Sequence, residues 1–119
     1  MPETAKQLLH YKPDRAWAGD PMPVYHDGTY HIFYTKLRDD HVTVWGHIST
    51  KDFVRVTEYP DPLEPGGPDA LDAQGIKTGC VIVRDGVFHM FYAANDQNGA
   101  DHMLHATSAD GVSFVKGNR

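Results

Sequence analysis

Residues 26–34 read His-Asp-Gly-Thr-Tyr-His-Ile-Phe-Tyr, and residues 84–92 read Arg-Asp-Gly-Val-Phe-His-Met-Phe-Tyr. The second stretch repeats the first at an offset of 58 positions. The same offset relates His-Ile-Ser-Thr-Lys-Asp at 47–52 to His-Ala-Thr-Ser-Ala-Asp at 105–110. A constant offset across two separated segments indicates an internal repeat, and the repeat decides the fold before any single residue does.

Each repeat carries the pattern of a small antiparallel sheet. Asp27-Gly28 and Asp85-Gly86 are hairpin signals, flanked by β-branched and aromatic residues. The predicted strands lie near residues 21–26, 29–36, 42–50 and 53–58, and near residues 79–84, 87–93, 101–108 and 112–116. Four antiparallel strands per unit are typical of a propeller blade. We therefore predict an all-β fold made of two four-stranded antiparallel blades of a β-propeller.

The sequence divides into four segments around this repeat. They are an N-terminal lead segment at 1–19, blade 1 at 20–59, a linker rich in proline and glycine at 60–77, and blade 2 at 78–119. A short helix is expected over residues 3–11 and is ended by Pro13. Complete propellers have roughly four to eight blades, so two blades alone expose an apolar face at each end. We expect either a portion of a longer propeller or a homo-oligomer formed through the exposed blade faces.

Composition and charge exclude several classes of partner. The 119 residues carry a net charge of −5, whereas nucleic acids and anionic membranes bind basic surfaces. No apolar stretch reaches the length of a transmembrane helix, and the first residues lack the plan of a signal peptide. The single cysteine, Cys80, excludes an internal disulfide framework. We expect a cytoplasmic protein with no nucleic-acid and no membrane partner.

Three segments carry a resemblance to a known family. Residues 17–25 read Trp-Ala-Gly-Asp-Pro-Met-Pro-Val-Tyr and run into the repeat hairpin. This stretch resembles the opening of glycoside hydrolase family 32, the invertase and β-fructosidase group, which begins with Trp-Met-Asn-Asp-Pro-Asn-Gly. Residues 45–52 resemble its Trp-Gly-His-Ala-x-Ser-x-Asp segment, and residues 78–81 resemble its Ser-Gly-Ser-Ala segment. The resemblance implies the N-terminal two blades of a five-bladed propeller. The hairpin is shared with family 43, which is the near alternative.

The resemblance assigns the role of catalytic nucleophile to Asp20. In the family the matching aspartate starts the innermost strand of the first blade, at the floor of an axial pocket. A retaining glycosidase uses one carboxylate to attack the anomeric carbon, and a second carboxyl about 5–5.5 Å away protonates the leaving oxygen. The repeat counterpart of Asp20 is Thr78, so the blade itself does not demand an acid there. The alternative is that Asp20 is a turn residue before Pro21.

Three further residues are candidates for contact with a carbohydrate substrate. Trp17 and Trp45 offer aromatic faces on which a sugar ring could stack, and Thr78 offers a hydroxyl group. The alternatives are core packing for the two tryptophans and an ordinary strand-end position for the threonine. The acids expected in loops are usually solvated surface residues. They are Asp39, Asp40, Asp69, Asp72, Asp96 and Asp101.

The sequence departs from the family pattern in two ways. Gly19, Met22 and Pro23 stand where the family has two asparagines and a glycine, so the substrate preference stays open. The family's Arg-Asp-Pro motif and its Glu-Cys motif, which carries the acid/base, do not occur in these 119 residues. Two functions therefore stay open. The favoured one is a glycoside hydrolase portion that acts on fructosides or related sugars, and the alternative is a non-catalytic carbohydrate-binding or scaffold fragment.

The eight histidines do not predict a metal site. His31 matches His89 and His47 matches His105, so packing that recurs in both blades explains them better than a single site. No histidine or cysteine spacing fits zinc, and no phosphate-binding loop is present. Cys80 precedes a β-branched run, which predicts a buried small hydrophobic residue. We expect neither a metal nor a cofactor.

Overall fold

The computed structural model describes residues 3–4 and 11–117, and these ranges contain nine strands and no helix. No helix long and apolar enough to cross a membrane occurs within them. The strands are β1 (Glu3–Thr4), β2 (Ala16–His26), β3 (Thr29–Arg38), β4 (Thr43–Thr50), β5 (Val56–Tyr59), β6 (Ile76–Arg84), β7 (Val87–Asn95), β8 (Asp101–Ser108) and β9 (Val115–Lys116). The predicted all-β class is confirmed.

The strands form two antiparallel sheets, one for each repeat. The order is β1-β5-β4-β3-β2 in the first sheet and β6-β7-β8-β9 in the second. Strands β2 to β5 are the four strands of blade 1, and β6 to β9 are those of blade 2. The short strand β1 adds a fifth member beside β5, where Glu3 lies opposite Thr57. The helix expected over 3–11 is therefore wrong at Glu3–Thr4, and its residues 5–10 lie outside the described ranges.

Both Asp-Gly pairs form the predicted hairpin turns. The φ angles are 51° at Asp27 and 81° at Gly28, and they are 52° at Asp85 and 78° at Gly86. Positive φ at both central residues is the mark of a type I′ turn, whose twist matches that of the flanking strands. The two innermost strands are thereby held to their neighbours by the same turn in each blade.

The last turn of each blade is longer than the sequence suggested. The Thr50 hydroxyl accepts a hydrogen bond from the Phe53 amide, and the Asp52 carboxylate accepts bonds from the next two amides. These backbone groups are bound within the turn and cannot join a strand ladder, so β5 begins at Val56 and not near residue 53. Ser108 and Asp110 make the same turn in blade 2. The last strand there, β9, is reduced to Val115–Lys116.

The innermost strands begin earlier than predicted. β2 starts at Ala16 and pairs with the end of β3, although blade 1 was expected to start at Asp20. β6 starts at Ile76, two residues ahead of Thr78. Both strands contain an irregular step near their start, and a pattern of alternating side chains does not continue through such a step.

The main core lies between the two blades. One side of blade 1 faces blade 2, and we call it the interface face of blade 1, formed by Met22, His31, Phe33, Trp45 and His47. All five side chains are buried, and the indole of Trp45 is fully enclosed. Buried apolar side chains of this size stabilise a fold by about 1.5–3 kcal/mol each. Blade 2 contributes Ile76, Val81, Phe88, Met90, Tyr92, Ala94, Ala106 and Phe114 to the same cluster.

The far side of blade 2 repeats that face, but no other sheet packs on it within residues 11–117. We call it the open face of blade 2, formed by the repeat equivalents Cys80, His89, Phe91, Met103 and His105. Met103, the equivalent of Trp45, is 81% exposed. Cys80 is also exposed, so the prediction of a buried cysteine is wrong. The reason is that this repeat position is buried only in the blade that has a neighbour.

The outer side of blade 1 is closed in a different way. Tyr34, Ile48 and Val56 form a second buried cluster, against which Tyr11 and Ile32 pack. The Tyr11 hydroxyl lies 2.7 Å from a carboxylate oxygen of β5 and donates to it. Burial raises the pKa of Tyr34 to about 12, as expected for a phenol shielded from water. Residues ahead of β2 thus cover one end of the two-bladed unit.

The linker between the blades is fastened by one buried carboxylate. Asp72 is 2% exposed, and its oxygens accept hydrogen bonds from the Gly66 amide and the Tyr92 hydroxyl. Lys116 Nζ lies 2.7 Å from the same carboxylate and neutralises its charge. The ammonium also donates to the Glu64 carbonyl at 2.7 Å. A charge is tolerated at such depth only when it is paired and hydrogen-bonded, and here both conditions are met.

Candidate functional site

Asp20 stands at a bulge in the innermost strand of blade 1. The pairing of β2 with β3 shifts between Gly19 and Met22, and Asp20 lies within the shift. Its φ is 40°, a left-handed value that is uncommon outside glycine. A bulge redirects the side chain that it holds and commonly lies beside active sites. The exposed carboxylate of Asp20 therefore leaves the strand in a direction that regular pairing would not give.

Blade 2 carries a similar irregularity, one residue earlier in the repeat. The pairing of β6 with β7 shifts between Ile76 and Gly79, and Thr78 lies within that shift. The Thr78 hydroxyl donates to Asp20 Oδ2 across 2.6 Å. Two equivalent positions of neighbouring blades therefore meet, one supplying a carboxylate and the other a neutral donor. Of the four candidate residues, these two are joined directly.

Two more hydrogen bonds fasten β6 to blade 1, one on each side of Thr78. The indole Nε1 of Trp45 donates to the Lys77 carbonyl at 2.6 Å. The Gly79 amide donates to the sulfur of Met22 at 3.3 Å. Residues 77, 78 and 79 are thus each bound across the blade interface. These contacts were not predictable from the sequence, because each joins residues more than thirty positions apart.

Gly79 is required by the close approach of two strands. A Cβ atom at this position would lie 1.7 Å from the carbonyl oxygen of Phe91. No side chain fits that space, and the overlap is with backbone, which cannot rotate away. The close pairing of β6 with β7 therefore requires a glycine directly after Thr78. This pairing also holds the bulge of β6 in place.

The two tryptophans have opposite environments. Trp17 is 60% exposed on β2, three residues ahead of Asp20, and lies opposite Leu37. Trp45 has no exposed surface, because it packs in the core between the blades. The packing alternative therefore describes Trp45, and in this structure its ring is closed to a sugar. Trp17 remains available for stacking.

The histidines pair within each blade. His31 Nδ1 and His47 Nε2 lie 3.0 Å apart, and His89 Nδ1 and His105 Nε2 are separated by the same distance. Burial, with the nearby His31 ring as a second cause, lowers the pKa of His47 to about 3. Within residues 11–117, no group of three or more histidine, cysteine or acidic side chains is arranged to hold a metal ion.

The loop acids form turns and ion pairs. Asp40 accepts from the Val42 amide, and this backbone bond is the main cause that lowers the pKa of Asp40. Asp96 closes the β7–β8 loop, and its hydrogen bond with His102 is the first cause that lowers the pKa of Asp96. Asp72 departs from the expectation for loop acids, because it is buried and paired and is not a solvated surface residue.

A polar hollow adjoins the site through Lys77, the chain neighbour of Thr78. It has a volume of about 590 Å³. Its lining contains an amine and several amides, groups that can hydrogen-bond to sugar hydroxyls. The lining residues are Gln74, Lys77, Asn95, Gln97, Asn98 and Gly99. Sequence reasoning missed them because the linker and the β7–β8 loop meet only in the folded chain.

Comparison with known proteins identifies the family. The family described as Glycosyl hydrolases family 32 N-terminal domain matches residues 10–119. The chain belongs to this family. A sucrose-6-phosphate hydrolase of Zymomonas mobilis is 32% identical and is matched over 91% of this chain and 23% of its own length. The insoluble β-fructofuranosidase isoenzyme 6 of Oryza sativa is 36% identical over 76% of this family 32 chain and 16% of its own length.

Solved structures agree on the propeller fold. The family 32 β-fructofuranosidase of Bombyx mori superposes with a TM-score of 0.74 at 24% identity, over 92% of this chain and 24% of that one. A family 43 β-xylosidase/α-arabinofuranosidase from a compost metagenome gives 0.74 at 16% identity, over 86% and 34%. At these identities the likeness shows the fold alone. The family 32 chain spans about a fifth of the length of the curated relatives it matches.

Proposed function

We propose that this chain supplies the nucleophile portion of a glycoside hydrolase that acts on fructosides. The observation that supports it is the Asp20 carboxylate, exposed at a strand bulge and bound by Thr78 from the next blade. The relatives named as sucrose-6-phosphate hydrolases and β-fructofuranosidases favour a fructoside substrate. In this proposal blade 1 provides the attacking group and blade 2 provides the residue that holds it.

The reaction follows from the position of the carboxylate. Oδ1 of Asp20 attacks the anomeric carbon, the bond to the leaving oxygen breaks, and a glycosyl ester forms on Asp20. A second carboxyl group protonates the leaving oxygen and then deprotonates the water that hydrolyses the ester. The Glu-Cys motif that carries this acid/base in the family is absent from these 119 residues. We assign that role to residues outside them, in the same protein or in a second copy.

Three features are proposed to bind the sugar. Trp17 offers an exposed ring three residues ahead of Asp20 on the same strand, and the apolar face of a sugar can stack on it. The oxygen of Thr78 still has free lone pairs and accepts a hydrogen bond from a sugar hydroxyl. The polar hollow beside Lys77 receives the part of the substrate that leaves. Trp45 is not assigned a contact, because its ring is buried.

An Asp20→Asn substitution tests the nucleophile in the protein that carries these residues. We expect hydrolysis of sucrose and sucrose 6-phosphate to fall roughly a thousandfold or more, because the amide cannot form the ester intermediate. Sugar affinity, measured by calorimetry, should stay within a few-fold. Asp85→Asn is the matched control, since Asp85 is also exposed and also has positive φ. Unchanged hydrolysis in Asp20→Asn would contradict the proposal.

A second candidate is a non-catalytic carbohydrate-binding module, in which the exposed ring of Trp17 stacks on a sugar. The same two measurements separate the candidates. Binding of fructose or sucrose without turnover, both in the unmodified protein that carries these residues and in its Asp20→Asn variant, would support the binding module. Turnover that depends on Asp20 would exclude it.

We also propose that two copies of the chain associate through the open face of blade 2. Its equivalent on blade 1 is fully covered by a neighbouring sheet, and the outer side of blade 1 is already closed around Tyr34. Within residues 11–117 the open face of blade 2 therefore stays uncovered, and we propose that a pair of copies covers the open faces of both. We expect a dimer by light scattering, and a monomer for Met103→Asp. Val54→Asp, at an exposed apolar position outside this face, should remain dimeric. A monomeric unmodified chain would contradict this.

A cytoplasmic location is proposed from the cysteine content. The single thiol, Cys80, is exposed and free, and free exposed thiols are typical of reducing compartments. Fractionation of the source cells, followed by detection of the chain, tests this assignment. Recovery outside the cytoplasm would overturn it.

A further inference from the structure

The hydroxyl group of Thr78 is committed to the nucleophile. A hydroxyl has one proton to donate, and in Thr78 that proton goes to Asp20 Oδ2 at 2.6 Å. A hydrogen bond from a neutral donor to a carboxylate is short and strong compared with one between neutral groups. Sugar hydroxyls can still donate to the Thr78 oxygen, but they cannot receive its proton without breaking the bond to Asp20.

This bond removes a freedom that Asp20 would otherwise have. The torsion that rotates a carboxylate about its Cβ–Cγ bond is broad, and Asp20 is exposed. With Oδ2 held by Thr78, the plane of the carboxylate is fixed and Oδ1 is left to attack. Alignment of the reacting atoms is worth a large rate factor, and small misplacements are costly.

Thr78 can act as a fixed reference because its own neighbours are bound. Trp45 Nε1 holds the carbonyl on one side of it, and Met22 receives the amide on the other side. Gly79 fits against Phe91 with no room for a side chain, so the β6 backbone cannot shift there. The buried indole of Trp45 thus acts on Asp20 indirectly. It binds the backbone of Lys77, and the next residue, Thr78, binds Asp20.

The choice of residue type at the two equivalent positions also fits this role. The two bulges place residues 20 and 78 within hydrogen-bond distance of each other. A second carboxylate at residue 78 would repel the first and disfavour its charged form. A threonine is neutral, can donate, and is stiff about its first side-chain torsion. Position 78 is therefore occupied by a residue that binds the Asp20 carboxylate without repelling it.

We infer that Thr78 is a positioning residue that orients the Asp20 carboxylate, and that Trp45 keeps Thr78 in place. The inference rests on the proposed role of Asp20 as nucleophile. It differs from a simple sugar contact, because the threonine acts through Asp20 and is engaged before any substrate arrives.

The first test needs no catalysis. In the full chain labelled with ¹³C, Thr78→Val removes the hydroxyl with little change of shape, and the ¹³Cγ resonance of Asp20 should move. Thr78→Ser should restore the resonance of the unmodified chain. Thr107→Val, on β8 of the same blade, is the control and should leave it in place. An Asp20 resonance that does not respond to Thr78→Val would overturn the inference, whatever the activity of the protein.

The second test separates positioning from binding. In the protein that carries these residues, we expect Thr78→Val to lower kcat about ten- to a hundredfold while KM changes less than about threefold. Thr78→Ser should recover most of kcat. A rise in KM alone would show a sugar ligand and not a positioning residue, and it would overturn the inference. If Asp20→Asn keeps its activity, the proposed function fails, while the resonance test still decides whether Thr78 holds Asp20.

Discussion

The interface face of blade 1 and the open face of blade 2 have nearly the same side chains and opposite environments. Each has a histidine pair joined at 3.0 Å and a phenylalanine stacked on one of its rings. On blade 1 these groups are buried, and on blade 2 they are partly exposed. The equivalent positions are His31, Phe33 and His47 on blade 1, and His89, Phe91 and His105 on blade 2. The repeated motif is thus a packing surface, and its contribution to stability depends on a neighbouring sheet that covers it.

The largest difference is expected when the phenylalanine of each face is truncated. Phe33→Ala should cost about 3–5 kcal/mol of the free energy of unfolding, because Phe33 is fully buried. At protein concentrations low enough for the chain to be monomeric, Phe91→Ala should cost about 1 kcal/mol, since only part of its ring leaves water. Urea denaturation followed by tryptophan fluorescence measures both. Equal losses would show that the open face is covered in solution. A loss in Phe91→Ala that grows with protein concentration would show that a second copy covers it.

An intermediate effect is expected from pH. His47 faces His31 and stacks on Phe33 and Tyr59, and the Asp110 carboxylate acts on it from blade 2. With a pKa of about 3 in the folded chain, His47 stays neutral there, while the unfolded chain takes up a proton below pH 6.5. The unfolded state binds more protons, so stability falls as the pH is lowered from 6.5 towards 3. The loss is at most about 1.4 kcal/mol per pH unit for this group.

Denaturation midpoints measured between pH 7 and pH 5 test whether stability falls with pH and whether His47 is the cause. His47→Gln should flatten the dependence on pH, although it lowers stability at pH 7. The equivalent substitution on the open face, His105→Gln, should leave the slope close to that of the unmodified chain. A smaller slope should remain in His47→Gln, because burial also lowers the pKa of His31. A slope equal to that of the unmodified chain would assign the effect to another group.

The smallest effects are expected where the blades do not differ. Thr50 and Ser108 are both buried, and each hydroxyl accepts hydrogen bonds from the amides two and three residues on and donates to the aspartate two residues on. Replacing either by alanine should cost about 1 kcal/mol, the usual value of such a bond. Parallel thermal melts of the two variants compare them directly. A clearly larger loss in one variant would mean that this turn depends on the neighbouring blade.

The repeat made much of the fold predictable from sequence. The Asp-Gly pairs and the β-branched and aromatic runs beside them located the hairpin turns and the sheets, because both are local properties of the chain. The starts of β2 and β6 were missed, because each begins ahead of a bulge where alternation breaks. The short strand at Glu3–Thr4 was also missed, because a two-residue pairing with β5 leaves no periodic pattern.

The candidate site was predictable in its residues and not in its contacts. Asp20 and Thr78 were marked by the family resemblance and by the repeat, but their hydrogen bond depends on how two blades pack. The burial of Trp45 and the exposure of Cys80 follow from which blade has a neighbour. That information lies in the arrangement of sheets, and no local pattern carries it.

The ion pair that anchors the linker, between Asp72 and Lys116, constrains the order in which the chain can fold during synthesis. Lys116 lies in β9, so this ion pair cannot form until the ribosome has released the chain as far as Lys116. Until then the carboxylate stays in water and the linker has no anchor, while blade 1 is already complete. We expect the linker to become resistant to protease last, at the moment when β9 joins its sheet. A time course of nascent chains stopped at successive lengths would show this as a late step.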